Sequence, residues 1–307
     1  MKLMKGIFEH VWKIRQRIDQ KDWGQDRNVK LWLKNKNHNI SKWWRKGITN
    51  IDDVLHGFIT PKNKSLKWYG NDNLSAFNQI EDHKDFTTDN VTYTLNAHGY
   101  RGDNIDDESD FTVLVVGCSH TFGIGLDDKQ CWPYHLKEFL KQNYKNPKVI
   151  NMACPGGSND WIARVIATSI DTIKPDLVIP VWTYPNRREA VWDSGLLWPL
   201  NTELPSGPEA EKHRLEFQSH FMTINENSDH YNWMKNHWLV KLACQNTMLI
   251  ESHVTELYDL QNNLNKIIGY VDVARDNKHF GPKVHFHFAD KLYNIFIARQ
   301  NEEKNVK

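Results

Sequence analysis

The stretch VLVVGCSHTFGIG, residues 113–125, decides the fold. Its first four residues are apolar, three of them valines, and they run straight into Gly117, Cys118, Ser119 and His120 before two more glycines. An unbroken apolar run of this kind reads as a strand buried on both faces, as in a parallel sheet covered by helices. The glycines let the chain turn sharply where the strand ends. Ser119 is therefore delivered into a tight turn at the carboxyl end of a buried strand, the edge where open parallel sheets bind ligands. A serine there is either the cap of a following helix or a reachable hydroxyl.

Working outward, the strand FTVLVVG (111–117) is followed by a helix in CWPYHLKEFLKQN, with Pro133 in its first turn and Leu136, Phe139 and Leu140 on one face. KVINMAC (148–154) is a second strand. Ser158 caps the next helix, in which Trp161, Ile162, Val165 and Ile166 face a core. DLVIPVW (176–182) and TMLIESH (247–253) are further strands, and residues 283–299 form a closing helix. Strand alternating with helix predicts a three-layer α/β/α fold with a parallel, flavodoxin-like central sheet. Residues 187–245, rich in Trp, His and Asn, break the alternation and read as a cap inserted over the strand ends.

The 307 residues suffice for a sizeable core. The near-zero net charge argues against nucleic acid as partner, but it conceals an asymmetry. Residues 1–50 carry nine Lys and four Arg against three Asp and one Glu, a formal +9. Residues 51–110 are turn-rich and carry a formal −7. The first segment, with Trp32, Trp43 and Trp44 among its lysines, reads as an arm that docks on something acidic: a protein partner, or the chain's own next segment. The α/β domain is then expected over 111–300. Four cysteines make no disulfide scaffold. No apolar run approaches a membrane span, and the start MKLMKGIFEHVWKIRQ lacks the form of a signal peptide. The expectation is a soluble protein, cytoplasmic or part of a larger assembly such as a viral one.

Near the C-terminal end stands ARDNKHFGPKVHFHFADKL, with Asp276 and His279 three apart before the last helix. A serine nucleophile needs a base that accepts its proton near neutral pH, and imidazole does so. The imidazole needs a carboxylate to hold its tautomer and to stabilise its charged form. D-x-x-H supplies both from one loop.

With these two blocks the chain resembles the SGNH hydrolases, the GDSL esterase/lipase family, over residues 92–300. Gly117, Ser119, Thr121 and Gly123 match the family's G-D-S-x-T-x-G block, and Asp276 and His279 match its D-x-x-H block. The resemblance implies a Ser119–His279–Asp276 triad acting on an ester. It also implies an oxyanion hole from the Ser119 amide, a glycine amide from Gly156 or Gly157, and a side-chain amide. The chain departs from the family twice. Cys118 replaces the aspartate before the nucleophile, and Pro185 stands where the oxyanion Asn belongs, with Asn186 one step on and Asn159 a second candidate.

No cofactor and no metal is expected. His279, His285, His287 and Asp290 resemble a metal cluster only in composition, because i and i+2 on a helix face different ways. Cys118 alternates with Ser119 and is expected to point into the core. Trp182, Arg187 and Trp192 are the expected substrate contacts, and Trp198, Trp233 and Trp238 among Asn and His suit sugar rings better than a long acyl chain. The expected reaction is removal of acetyl groups from a glycan or another polar ester. The alternatives are an O-acyltransferase, or a non-catalytic module on the same fold within a larger assembly.

Overall fold

The computed structural model describes residues 61–191, 197–200, 225–254 and 272–306. The basic arm 1–50, Trp192 and the middle of the expected cap lie outside the described residues.

Three short strands come first: β1 (Lys64–Leu66), β2 (Tyr93–Leu95) and β3 (Arg101–Gly102), with the one-turn helix α1 (Leu74–Phe77) between β1 and β2. The quoted stretch gives β4 (Phe111–Val116), buried at every position, and the short helix α2 (Ser119–Phe122). Then follow α3 (Trp132–Leu140), β5 (Pro147–Asn151), α4 (Asn159–Ile173) and β6 (Leu177–Trp182). Next come a hairpin of β7 (Arg188–Val191) and β8 (Leu197–Leu200), and helix α5 (Glu226–Ala243). Two-residue strands β9 (Met248–Leu249) and β10 (Ser252–His253) and the long helix α6 (Pro282–Val306) complete the described chain.

β4 lies between β5 and β6 and is parallel to both. The chain therefore leaves β4 toward one side, through α3 to β5, and returns through α4 to β6 on the other. That reversal is the topological switch at which such sheets open a crevice. β9 and β10 both run parallel to β6. Ile250 and Glu251 interrupt the strand expected there, and Glu251 takes the Trp182 indole N–H at 3.1 Å.

Successive β4 residues point to opposite faces. Val113 and Val115 share a core with Trp132, Leu136 and Leu140 of α3 and with Val284, Phe288, Leu292 and Phe296 of α6. On the other face α4 packs on β4 and β6, burying the Trp161, Ile162, Val165 and Ile166 stripe. Ser158 accepts the Trp161 N–H at 3.1 Å and so caps α4 as its sequence predicts.

Two regions differ from the sequence reading. The acidic segment 51–110 is more than a lead-in, because from residue 64 it supplies β1, β2 and β3, which extend the sheet antiparallel from β5. Its acids meet cations of the α/β core. Asp103 binds Lys137 at 2.7 Å, and Asp72 binds Arg275. Of the expected cap, residues 226–243 are a layer helix: α5 lies against α4. Its buried residues are Asp229, Asn232, Asn236 and Val240, and Asn236 donates to Asp160 at 2.7 Å. A face this polar carries no apolar rhythm, which hides the helix in the sequence. No helix among the described residues is long and apolar enough to cross a membrane.

Candidate active site

Ser119 is the first residue of α2, directly beyond the carboxyl end of β4. The turn is tight because Gly117 has no side chain. A Cβ there would lie 2.2 Å from the Thr121 hydroxyl. Cys118 points back into the core, as its alternation with Ser119 requires. The turn is tied to β5, whose Asn151 amide donates to the Thr121 carbonyl at 3.1 Å.

The D-x-x-H loop is a rigid unit before α6. Ala274 N–H donates to His279 C=O at 2.9 Å, and Asn277, at φ 54°, turns the chain between them. Asp272 accepts the Lys283 and Val284 N–H groups and so fixes the start of α6. Within the loop, Asp276 Oδ1 accepts the backbone N–H of Lys278 and of His279, each at 3.1 Å.

The two blocks, 160 residues apart in sequence, meet side chain to side chain. His279 Nε2 is 2.8 Å from Ser119 Oγ. His279 Nδ1 is 2.6 Å from Asp276 Oδ2. Burial works to raise the Asp276 carboxyl, but the His279 ring and the two backbone N–H groups outweigh it, leaving it below the usual carboxylate range. Asp276 is thereby kept ionised and paired, able to orient an imidazole and to stabilise its charged form.

His120 flanks the relay, its ring centroid 4.8 Å from that of His279 and 4.6 Å from that of Phe280. Burial first, then the neighbouring His279, His285 and Arg187, hold His120 far below its ordinary value, so it is neutral. Nothing in its sequence position singled it out beyond adjacency to the serine.

The expected oxyanion donors divide. The loop after β5 is stitched to the β4 turn, since Cys154 N–H donates to Gly117 C=O at 3.0 Å. Gly157 N–H is turned into that loop, donating to Cys154 C=O at 2.9 Å, which removes Gly157 from the donor set. The Ser119 and Gly156 N–H groups donate to no group among the described residues. Asn159 is fully buried, and its amide brackets Thr183, accepting its N–H at 2.9 Å and donating to its C=O at 3.3 Å. Asn186 is half-buried in the following turn, which Arg187 N–H closes on Tyr184 C=O at 3.2 Å.

Of the expected substrate contacts, Trp182 is corrected. Its ring is completely buried and its N–H is engaged by Glu251, so it is a core residue. The Arg187 guanidinium donates to Thr183 Oγ1 at 3.0 Å and lies over the Tyr184 ring, close enough to His120 to lower its basicity. Trp233 stacks on His237, while Trp238 stands exposed on α5. His285 is buried and accepts the Trp132 N–H at 3.0 Å, whereas His287 faces solvent. Those two rings therefore leave their helix on different sides.

No family model matches the sequence, and no curated protein does. Among solved structures the chain is similar to a lipolytic protein assigned to the G-D-S-L family from Desulfitobacterium hafniense DCB-2 (12% identity, TM-score 0.34, covering 61% of this chain and 99% of that one). It is similar also to the psychrotrophic esterase EstA from Pseudoalteromonas sp. (14% identity, TM-score 0.32, 62% and 100%). A third is Axe2, an acetylxylan esterase from Geobacillus stearothermophilus (13% identity, TM-score 0.31, 61% and 94%).

Proposed function

We propose that the chain is a serine ester hydrolase that removes a short acyl group, acetyl above all, from a glycan or other polar alcohol. The observation that supports this most is the continuous relay of Asp276, His279 and Ser119, with contacts of 2.6 and 2.8 Å. In this reading His279 takes the Ser119 proton as Oγ attacks the ester carbonyl. Asp276 steadies the imidazolium that forms. The negative charge on the carbonyl oxygen is met by the Ser119 and Gly156 amides, with the Asn159 side-chain amide, beside Thr183, as the third donor. His279 then gives that proton to the leaving alcohol, and a water activated the same way attacks the acyl-enzyme, releasing the acid as His279 returns a proton to Ser119 Oγ.

The polar setting favours a small acyl group on a polar alcohol. Arg187 and Tyr184 lie beyond the end of β6, and neutral His120 flanks the base. Turnover of a chain-length series of 4-nitrophenyl esters, alongside acetylated xylo-oligosaccharides, tests the reading. The expected result is release of acetate, falling steeply for acyl chains beyond four carbons, and abolished in Ser119→Ala. Equal or faster turnover of long acyl esters contradicts the substrate class. Turnover that survives Ser119→Ala contradicts the mechanism.

A further inference from the structure

Arg275 stands immediately before Asp276, and its side chain is completely buried. Its guanidinium reaches Asp72, itself only 1% exposed, with Nε on Oδ1 at 3.0 Å and Nη2 on Oδ2 at 2.6 Å. Two further donors reach the Lys67 and Thr87 carbonyls, and the Trp68 ring lies 3.9 Å from the guanidinium carbon. Asp72 Oδ2 also accepts the Tyr93 hydroxyl at 2.5 Å. The Tyr93 oxygen accepts the Gly125 N–H at 2.7 Å. Gly125 C=O accepts the Arg275 N–H at 3.0 Å, and the circuit is closed.

This ring of bonds joins three segments: the chain just after the nucleophile, the loop of the base and its carboxylate, and the antiparallel extension before β4. The approach of the first two is as close as sterics allow. At Gly125, φ +77°, a Cβ would lie 2.8 Å from Ala274 Cβ and 2.9 Å from the Arg275 nitrogen. A buried ion pair is weak as a source of stability, because desolvation offsets most of the attraction. Its directional bonds do fix geometry. The pair is placed where a displacement of the loop would change the Ser119 to His279 distance.

Resting on the hydrolase reading above, we propose that Asp72, Arg275 and Tyr93 are positioning residues that set the register between the Ser119 turn and the Asp276–His279 loop. They touch no reacting atom. They act through Gly125 and the backbone next to Asp276. Misplacing a catalytic group by about 1 Å costs on the order of 10²-fold in rate, so loosening the circuit lowers kcat while leaving KM in place.

The test uses the full chain with an acetyl ester, at a temperature where circular dichroism shows every variant folded. Tyr93→Phe removes one hydroxyl from the ring of bonds. Asp72→Asn removes the charge that organises it. Val165→Ala, buried in α4 and outside the circuit, serves as a control for general loss of stability. The expected result is a fall in kcat of about 10- to 100-fold in Tyr93→Phe and Asp72→Asn, with KM within about twofold and Val165→Ala at the wild-type rate. The double variant should fall no further than the worse single one, because both break the same circuit. If Asp72→Asn does not fold, Tyr93→Phe alone decides. Wild-type turnover with folded circuit variants within twofold in kcat overturns the positioning role and leaves the hydrolase reading standing. A wild type with no Ser119-dependent turnover overturns that reading, and this inference with it.

Discussion

The turn after β4 and the loop after β6 end neighbouring strands, yet they are built from different materials. The β4 turn depends on missing side chains, Gly117 under Thr121 and Gly125 against Ala274 and Arg275, with Asn151 and Tyr93 tying it from outside. The β6 loop contains no glycine and is held by side chains across it. Asn159 brackets Thr183, and Arg187 reaches back to the same residue. The first arrangement brings Ser119 and His279 together at close range. The second ties the loop after β6 to Asn159 at the start of α4, although Pro185 occupies the position the SGNH resemblance assigns to an asparagine. In the proposed chemistry, proton transfer is therefore built into the tightly packed side of the site, and charge stabilisation rests on fewer groups.

The largest expected effect breaks the first side. Asp276→Asn keeps the shape of the relay and removes its charge and tautomer control, and kcat should fall on the order of 10⁴-fold. A fall below tenfold would mean that the close His279–Asp276 contact does not serve the reaction.

The next comparison sharpens the second side. Asn159→Ala should lower kcat on the order of 10²-fold, since it removes both the clamp on Thr183 and the proposed amide donor. It should also destabilise the fold by about 1–3 kcal/mol, because the Thr183 backbone groups are left without that partner. Asn186→Ala should leave kcat within about twofold. The reverse ranking, read from the same steady-state assay, would move the donor into the loop after β6.

The last effect leaves the reaction aside and concerns stability against pH. Burial, with the charges of His135, Arg101 and His279, lowers His285 to about 3. The unfolded chain binds that proton near pH 6.5, and the folded protein does not until far lower. Stability is thus fully present above about pH 6.5 and should fall by about 1.4 kcal/mol per pH unit below it from this one group, flattening only near its folded value. His285→Gln retains an acceptor for the Trp132 N–H and should show a shallower acid slope in urea melts. An unchanged slope would remove His285 from the explanation.

What the sequence discloses follows from which interactions leave a local pattern. The buried parallel strands appear as unbroken apolar runs, and α4 as an apolar stripe with a serine cap. The serine block and the D-x-x-H block are legible because each packs its chemistry into a few adjacent residues. β1 to β3 are two or three residues each, too short for a period to register. α5 buries Asp229, Asn232 and Asn236 against α4, which reads as a solvent face. The Asp72–Arg275 pair spans 203 residues, and no local rhythm connects its ends. The acidity of 51–110 reads as a dock for the basic arm, which lies outside the described residues. Lys137 and Arg275, both far along the chain, meet part of that acidity.

In the proposed mechanism everything depends on Ser119 being a nucleophile activated by His279. Incubation with a fluorophosphonate followed by peptide mass spectrometry tests it most directly. One phosphonyl adduct is expected, on Ser119, forming in step with the loss of acetyl-ester turnover and slowed sharply in Asp276→Asn. An intact, folded protein that turns over acetyl esters while Ser119 stays unlabelled, or that labels equally well as Ser119→Ala, would contradict it.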